Sequence, residues 1–180
     1  MIGSGTIDRN MIDPMIRFTE LRLPKLSANE TIDEEVKSQL EELLYKKSQY
    51  LPEEEISEPS FVYIASDDSG RRAKAAACVL NYLSDQVDIR NMRRDEKIFD
   101  LHVFHIGKEH YDDNIRAAAG NIDMRDIYAF ILPDLERCED LDALKSLEKP
   151  NCLAIATMGS DYFHAYEPNA AVWNLGVELE

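Results

Sequence analysis

Phe61-Val-Tyr-Ile-Ala65 is the stretch that decides the fold, because it is a continuous apolar run rich in β-formers. Such a run, without polar alternation, is typical of a strand buried on both faces of a parallel sheet. Three further strands are predicted at Phe99–Ile106, Ile127–Leu132 and Cys152–Thr157, and the run at Ile127–Leu132 is again apolar throughout. Ala171–Leu179 is the candidate for a fifth strand.

Helical patterns lie between these strands. The first runs from Ala73 to Leu83, and an irregular polar stretch is expected at residues 86–98. Strands that alternate with helices imply right-handed crossovers and a parallel sheet. Residues 60–180 are therefore predicted to form an α/β domain. Its expected architecture is a Rossmann-like or flavodoxin-like three-layer sandwich with a mainly parallel five-stranded sheet and helices on both faces.

Residues 1–59 are expected to precede this domain as an N-terminal arm, an amphipathic helix and an acidic linker. Thr31-Ile-Asp-Glu34 has the form of a capping box, and apolar residues at helical spacing follow it as far as about Ser48. The linker covers residues 52–59. The sequence leaves open whether the helix packs on the domain or on a second copy, so a homodimer is one possible assembly.

The charge balance excludes some classes of partner. The chain has 35 acidic and 20 basic residues and a formal net charge of −15, which opposes binding to phosphate backbones and anionic membranes. No apolar run is long enough to span a bilayer. The three cysteines Cys78, Cys138 and Cys152 suit neither a disulfide framework nor a zinc site. A cytoplasmic protein that does not bind nucleic acid is expected.

Candidate binding residues follow the strands, because ligands of open α/β sheets bind beyond the carboxyl ends of the strands. The loop after the first strand matches neither GxGxxG nor GxxxxGK[ST], and its polar residues also suit helix capping. The sequence leaves the cofactor open, and no confident metal site is predicted. The candidate ligand-binding residues are Ser66, Asp67, Asp68, Ser69, Gly70, Arg71, Asp134 and Thr157.

Four of these residues resemble the site of response-regulator receiver domains, over about Phe61–Thr157. The resemblance implies that Asp67 and Asp68 hold magnesium, that Asp134 accepts phosphate and that Thr157 senses it. Two departures stand against it. Pro133 moves the acid beyond the strand end, and the family's lysine after the fifth strand has no match.

The strand order is also similar to that of TIR domains and nucleoside deoxyribosyltransferases. Phe61–Ser66 and Asn114–Leu132 resemble the latter, and the resemblance implies a catalytic glutamate after the third strand. Glu136 and Glu139 are the candidates by location, although the small-residue motif of the family is missing.

Two further groups of residues, a pair of histidines and a group of basic residues, bear on the prediction of a site. His102 and His105 lie three apart on a predicted strand, so they face opposite sides and cannot hold one ion together. Arg90, Arg93, Arg94 and Lys97 form the densest basic group, which suggests a partner for the acidic helix or a protein-docking patch.

These observations favour a noncatalytic regulatory or binding module over an enzyme. Its expected partner is a small, nucleotide-like ligand or a protein, bound at the carboxyl edge of the sheet. The alternatives are an enzyme of nucleotide or N-glycosidic chemistry, a degenerate receiver-like domain, or an acidic antagonist of a basic protein.

Overall fold

The computed structural model describes residues 18–20, 34–49, 60–93, 99–166 and 175–179. Their elements, in chain order, are β1 (Phe18–Glu20), α1 (Glu34–Ser48), β2 (Ser60–Ala65), α2 (Ser69–Arg93), β3 (Leu101–Ile106), α3 (Tyr111–Ala119), β4 (Ile127–Leu132), β5 (Cys152–Met158), α4 (Ser160–Tyr166) and β6 (Leu175–Glu178). Two 3₁₀ helices, Leu135–Arg137 and Leu141–Leu147, lie between β4 and β5.

The six strands form one sheet in the order β1-β3-β4-β5-β2-β6. All pairings among the five strands β2 to β6 are parallel. Strand β1 pairs antiparallel with the end of β3. The predicted α/β fold with a mainly parallel five-stranded sheet is therefore confirmed, and β1 adds a short sixth strand at one edge.

The order of the strands has a consequence for the site. In a 2-1-3-4-5 sheet, the first strand lies beside the second and the third. Here β2, the first strand of the parallel set, lies between β5 and β6, and β4 and β5 separate it from β3. The loop after β2 is therefore next to the loop after β5.

Side chains on the two faces of the sheet enter two separate cores. In β2, Phe61 and Tyr63 point into the core under α3, the 3₁₀ helices and α4, whereas Val62 and Ile64 point into the core under α1 and α2. This alternation follows from the two-residue period of a strand. Both faces are buried, which explains the continuous apolar runs.

Helix α1 packs on the domain, which answers the question that the sequence left open. Leu40 and Leu44 are fully buried in the core that α2 shares. The Lys47 ammonium donates to the carbonyl of Pro150, 2.8 Å away, at the start of β5. The predicted capping threonine and the linker lie outside the described residues. The domain boundary at residue 59 stays a proposal.

Helix α2 is longer than predicted, because it continues to Arg93 through residues expected to be irregular. Val87 and Arg90 extend its buried stripe, and the Arg90 guanidinium lies 3.6 Å from the centre of the Phe99 ring. Arg90 therefore belongs to the core and not to an exposed basic patch. Arg94 and Lys97 lie outside the described residues.

Two further connections complete the described fold. Helix α4 lies between β5 and β6, and the segment Leu141–Leu147 is a short 3₁₀ helix. The three cysteines are buried. Among the helices that the structure describes, none combines the length and the apolar character needed to cross a membrane.

Candidate functional site

The carboxyl ends of the parallel strands bring four loops to one edge of the sheet, the usual ligand edge of an open α/β fold. The strands end at Ala65, Ile106, Leu132 and Met158. Ala65 pairs with Met158, and Leu132 pairs with Ala156 on the other side of β5. The loops after β2 and β4 therefore flank the loop after β5.

The loop between β2 and α2 is held by its own side chains. Ser66 is buried, and its hydroxyl accepts a hydrogen bond from the amide of Asp68 at 3.1 Å. The Asp68 carboxylate accepts from the amides of Gly70 at 2.9 Å and Arg71 at 3.2 Å. A Cβ at position 70 would lie 3.3 Å from that carboxylate, so glycine leaves room for the close approach. Asp68 thus caps α2.

The loop between β2 and α2 has the length of a phosphate-binding loop but lacks most of the residues that define such a loop. The GxxxxGK[ST] loop joins a strand to a helix, and its backbone amides hold phosphates. Residues 65–72 have the same spacing between β2 and α2. Ala65 replaces the first glycine, Gly70 keeps the second, and Arg71 and Arg72 replace the lysine and the hydroxyl residue. The spacing becomes visible in the sequence once alanine is allowed at the first position.

Asp134 is the centre of an ion-pair cluster at this edge. One carboxylate oxygen lies 2.7 Å from the Arg72 guanidinium and the other lies 2.6 Å from the Lys108 ammonium. Arg72 also donates to the carbonyl of Ser66 at 2.7 Å. These two cations lower the pKa of Asp134, Lys108 contributing the larger effect. The carboxylate is therefore ionised at neutral pH, and both of its oxygens are engaged.

The backbone of Asp134 is also unusual. Its φ of 50° lies in the left-handed region, which aspartate tolerates better than most residues. Its amide donates to the Thr157 hydroxyl at 3.3 Å. The Tyr111 hydroxyl donates to the neighbouring carbonyl of Pro133 at 2.8 Å. These bonds fix the turn that follows β4 and aim the carboxylate at Arg72.

Two more carboxylates hold the start of α4. Asp67 accepts from the amide of Ser160 at 3.2 Å, and Glu136 accepts from the amide of Gly159 at 3.0 Å. A Cβ at position 159 would lie 3.3 Å from the Glu136 carboxylate. The loops after β2, β4 and β5 are therefore tied together by acidic side chains and backbone amides.

The structure brings together most of the residues predicted from the sequence, and adds others. The predicted residues whose side chains join the contacts at this edge are Ser66, Asp67, Asp68, Asp134 and Thr157. Ser69 begins α2 and is exposed, whereas Gly70 and Arg71 contribute backbone amides. The residues that were missed are Arg72 and Lys108, whereas Glu136 was a candidate through the deoxyribosyltransferase resemblance and instead accepts from the amide of Gly159.

A cleft of about 660 Å³ adjoins this network where β3 leads into α3, and Lys108 belongs to both. Small-molecule pockets are lined mostly by apolar side chains. This cleft is lined mainly by charged ones of both signs, which suits a polar surface of a partner better than an apolar ligand. The lining residues are Lys108, Glu109, His110, Tyr111, Asp112, Asp113, Arg116, Arg137 and Glu139.

The geometry gives little support to the enzyme-like and receiver-like alternatives. The receiver resemblance requires an open Asp134 beside the loop of the acidic pair, but β5 separates β2 from β4 and Asp134 is held by two cations. Of the two glutamates in the deoxyribosyltransferase comparison, Glu136 is bonded to Gly159, and Glu139 lies exposed in the cleft.

No protein-family model matches the chain, and no curated protein matches it in sequence. Solved structures match its fold. The structure of C. elegans PCH-2 has a TM-score of 0.57 at 11% identity, over 91% of this chain and 48% of that chain. A chain of the E. coli MS115-1 HORMA:CdnC:Trip13 complex has a TM-score of 0.56 at 12% identity, over 92% of this chain and 67% of that chain.

At these identities the likeness shows the fold alone. The chain spans about half the length of the PCH-2 chain that it matches. What the matched proteins do is therefore a source of hypotheses for this chain.

Proposed function

We propose that the chain is a noncatalytic protein-binding module that uses the carboxyl edge of its sheet as the contact surface. The observation that carries the proposal is that the chain's own carboxylates already bind the backbone amides and the cationic side chains at this edge. Asp68 holds the two amides at the start of α2, and Asp134 holds the cations of Arg72 and Lys108. Amides and cations of this kind are the groups that bind phosphates.

Charge supports the choice of a protein over a nucleotide. A net charge of −15 opposes the approach of polyphosphates to the surface. Asp67 and Asp68 add two exposed carboxylates at the loop where a phosphate would bind. The adjoining cleft presents both signs of charge, as the polar rim of a protein interface does.

The structural neighbours supply a second line of support. One of them is a chain of a complex that is named for three components, HORMA, CdnC and Trip13. The shared fold does not transfer a partner to this chain. It makes a protein partner the first class to test.

The first experiment is a thermal-shift panel of ATP, ADP, GTP and NAD with Mg²⁺ on the full chain. A ligand at about 100 times its Kd adds about 2.7 kcal/mol, which corresponds to roughly 5–10 °C for a chain of this size. We expect no rise in Tm. A rise of several degrees, lost in Arg72→Ala, would contradict the proposal and favour a nucleotide site.

The second experiment locates the partner surface with a matched pair of charge reversals. Glu139→Lys changes an exposed carboxylate in the cleft, and Glu148→Lys changes an exposed carboxylate near the opposite edge of the sheet, before β5. A partner is first captured from the native host by crosslinking. We expect Glu139→Lys to weaken its binding at least tenfold and Glu148→Lys to leave it unchanged. Equal affinities for both variants would place the interface elsewhere.

A further inference from the structure

A second cluster of polar side chains lies at the opposite, amino edge of the sheet. Asp100 precedes β3, His102 is the second residue of β3, and Asp126 immediately precedes β4. β3 and β4 are parallel neighbours, and the amide of Ile127 donates to the carbonyl of Asp100 at 3.0 Å. The beginnings of the two strands therefore bring the three side chains together.

The three side chains lie close enough together to be candidate ligands of one metal ion. The Nε2 atom of His102 lies 3.1 Å from a carboxylate oxygen of Asp126. One ligand atom from each of the three residues lies within 4.8 Å of the other two. Tetrahedral ligands at zinc bond lengths of about 2.0–2.2 Å lie roughly 3.3–3.6 Å apart. The His102–Asp126 pair is already near that spacing, and Asp100 is an exposed residue whose ligand atom lies within 4.8 Å of the other two.

His102 is held in place independently of this pair. Its side chain is 6% exposed, and its ring stacks on Tyr128 with centroids 4.8 Å apart and on Phe104 at 6.5 Å. Asp126 is fixed by the Asn151 side chain, which donates to its carbonyl at 2.8 Å. Two of the three donors are therefore preorganised, which reduces the entropy that binding an ion would cost.

We propose that Asp100, His102 and Asp126 bind a Zn²⁺ ion, with water completing the coordination. One imidazole nitrogen and two carboxylate oxygens are donors that zinc accepts, whereas Ca²⁺ and Mg²⁺ favour oxygen alone. The ion clamps the starts of β3 and β4 and stabilises the fold. This site is separate from the proposed protein-binding edge.

The competing explanation is a hydrogen bond between His102 and Asp126 without a metal ion. A variant of Asp100 distinguishes the two explanations. Asp100 donates only its backbone amide to Asp126, at 3.3 Å, so its carboxylate is not needed for the hydrogen bond. The Asp100→Asn variant removes a proposed ligand at an exposed position and leaves the buried pair intact.

The test is a titration of the full chain, without an affinity tag, with Zn²⁺ by calorimetry and with Co²⁺ by visible absorption. We expect one equivalent to bind, a tetrahedral Co²⁺ spectrum, and a higher Tm with Zn²⁺. Asp100→Asn and His102→Gln are expected to weaken binding at least tenfold. The controls are His105→Gln, on the same strand, and Asp113→Asn, an exposed acid on α3, and both should bind like the wild type.

Two results would overturn the proposal. One is the absence of binding tighter than about 100 μM, since structural zinc sites are far tighter. The other is equal affinity in the wild type and Asp100→Asn, which would leave the cluster as a hydrogen-bonded pair. Because Asp100 is exposed, its variant gives an answer even if His102→Gln does not fold.

Discussion

The guanidinium of Arg72 lies 2.7 Å from the carboxylate of Asp134, although the two residues are 62 positions apart in the chain. Arg72 comes from the first turn of α2, and Asp134 follows β4, two strands away from β2 in the sheet. The pair crosses over the end of β5. It therefore connects the loops that follow β2 and β4, and its loss should be measurable both in stability and in partner binding.

The neighbours Arg71 and Arg72 offer a matched test of this ion pair. Arg72→Ala removes two hydrogen bonds, to Asp134 and to the carbonyl of Ser66, and leaves Asp134 half-compensated. Hydrogen bonds to charged groups contribute about 1.5–3 kcal/mol each, so the loss of two is expected to cost about 3 kcal/mol or more in urea unfolding. Within the described residues the Arg71 side chain makes no ion pair, and Arg71→Ala should change the unfolding free energy by less than about 0.5 kcal/mol. Equal effects would contradict the assignment.

The acid dependence of stability should report Asp134. The ammonium of Lys108 and the guanidinium of Arg72 lower its pKa. The folded chain therefore binds this proton less tightly than the unfolded chain. The resulting stabilisation is complete above the unfolded pKa of about 3.9 and is lost as the pH falls through the lower folded value.

The measurement for Asp134 compares the urea unfolding of the wild type and of Asp134→Asn between about pH 6 and pH 3. Asp134→Asn should be less stable than the wild type at pH 6 and should approach it as the pH falls. Asp142→Asn is the control, since among the residues that the structure describes Asp142 forms an ion pair only with the exposed Lys145. A pH profile of Asp134→Asn parallel to that of the wild type would show that the ion pairs contribute no stability.

Much of the fold could be predicted because the signals are local. The strands β2, β4 and β5 are dominated by continuous apolar runs, and the alternation of strands with helices implies the parallel sheet. The length of α2 was missed because Arg90 occupies a position where an apolar residue is expected. The guanidinium of Arg90 lies over the ring of Phe99. The periodicity of apolar residues does not reveal a buried arginine of this kind.

The site was predictable only in part, because its contacts depend on the strand order. Asp134 was a candidate from its position after a strand. Its partners Arg72 and Lys108 come from loops whose proximity follows from β5 lying between β2 and β4. The Asp100, His102 and Asp126 cluster was missed for the same reason, since only the pairing of β3 with β4 brings Asp126 to His102.

The cap of α2 gives a prediction that separates capping from ligand binding. Asp68→Ala removes the acceptor for two backbone amides and should cost about 1 kcal/mol, whereas Asp68→Asn should be nearly neutral, because asparagine caps as well as aspartate. The measurement is chemical denaturation at neutral pH. A large loss in both variants would mean that the negative charge of Asp68 itself, and not the hydrogen bonds alone, stabilises the loop.

Lys47 should make stability rise with pH on the alkaline side. Burial lowers its pKa to about 8, an effect that Cys152 partly opposes. The unfolded chain, with a lysine pKa of about 10.4, binds the proton more tightly than the folded chain, so stability increases as the pH rises through about 8. Burial also raises the pKa of Cys152 to about 12 and that of Cys138 to about 12, and both lower stability above about pH 9.

A difference between variants largely isolates Lys47 from the cysteines, because burial is the main cause of the raised pKa of both cysteines and is common to both chains, although Lys47 itself lowers the pKa of Cys152. The stability of the wild type relative to Lys47→Met should increase by roughly 1 kcal/mol between pH 7 and pH 9. Lys46→Met is the matched control, since Lys46 is exposed and pairs with Glu42 on the same helix. If the wild-type and Lys47→Met profiles stay parallel over this range, the ammonium is not buried against Pro150 and α1 does not pack as described.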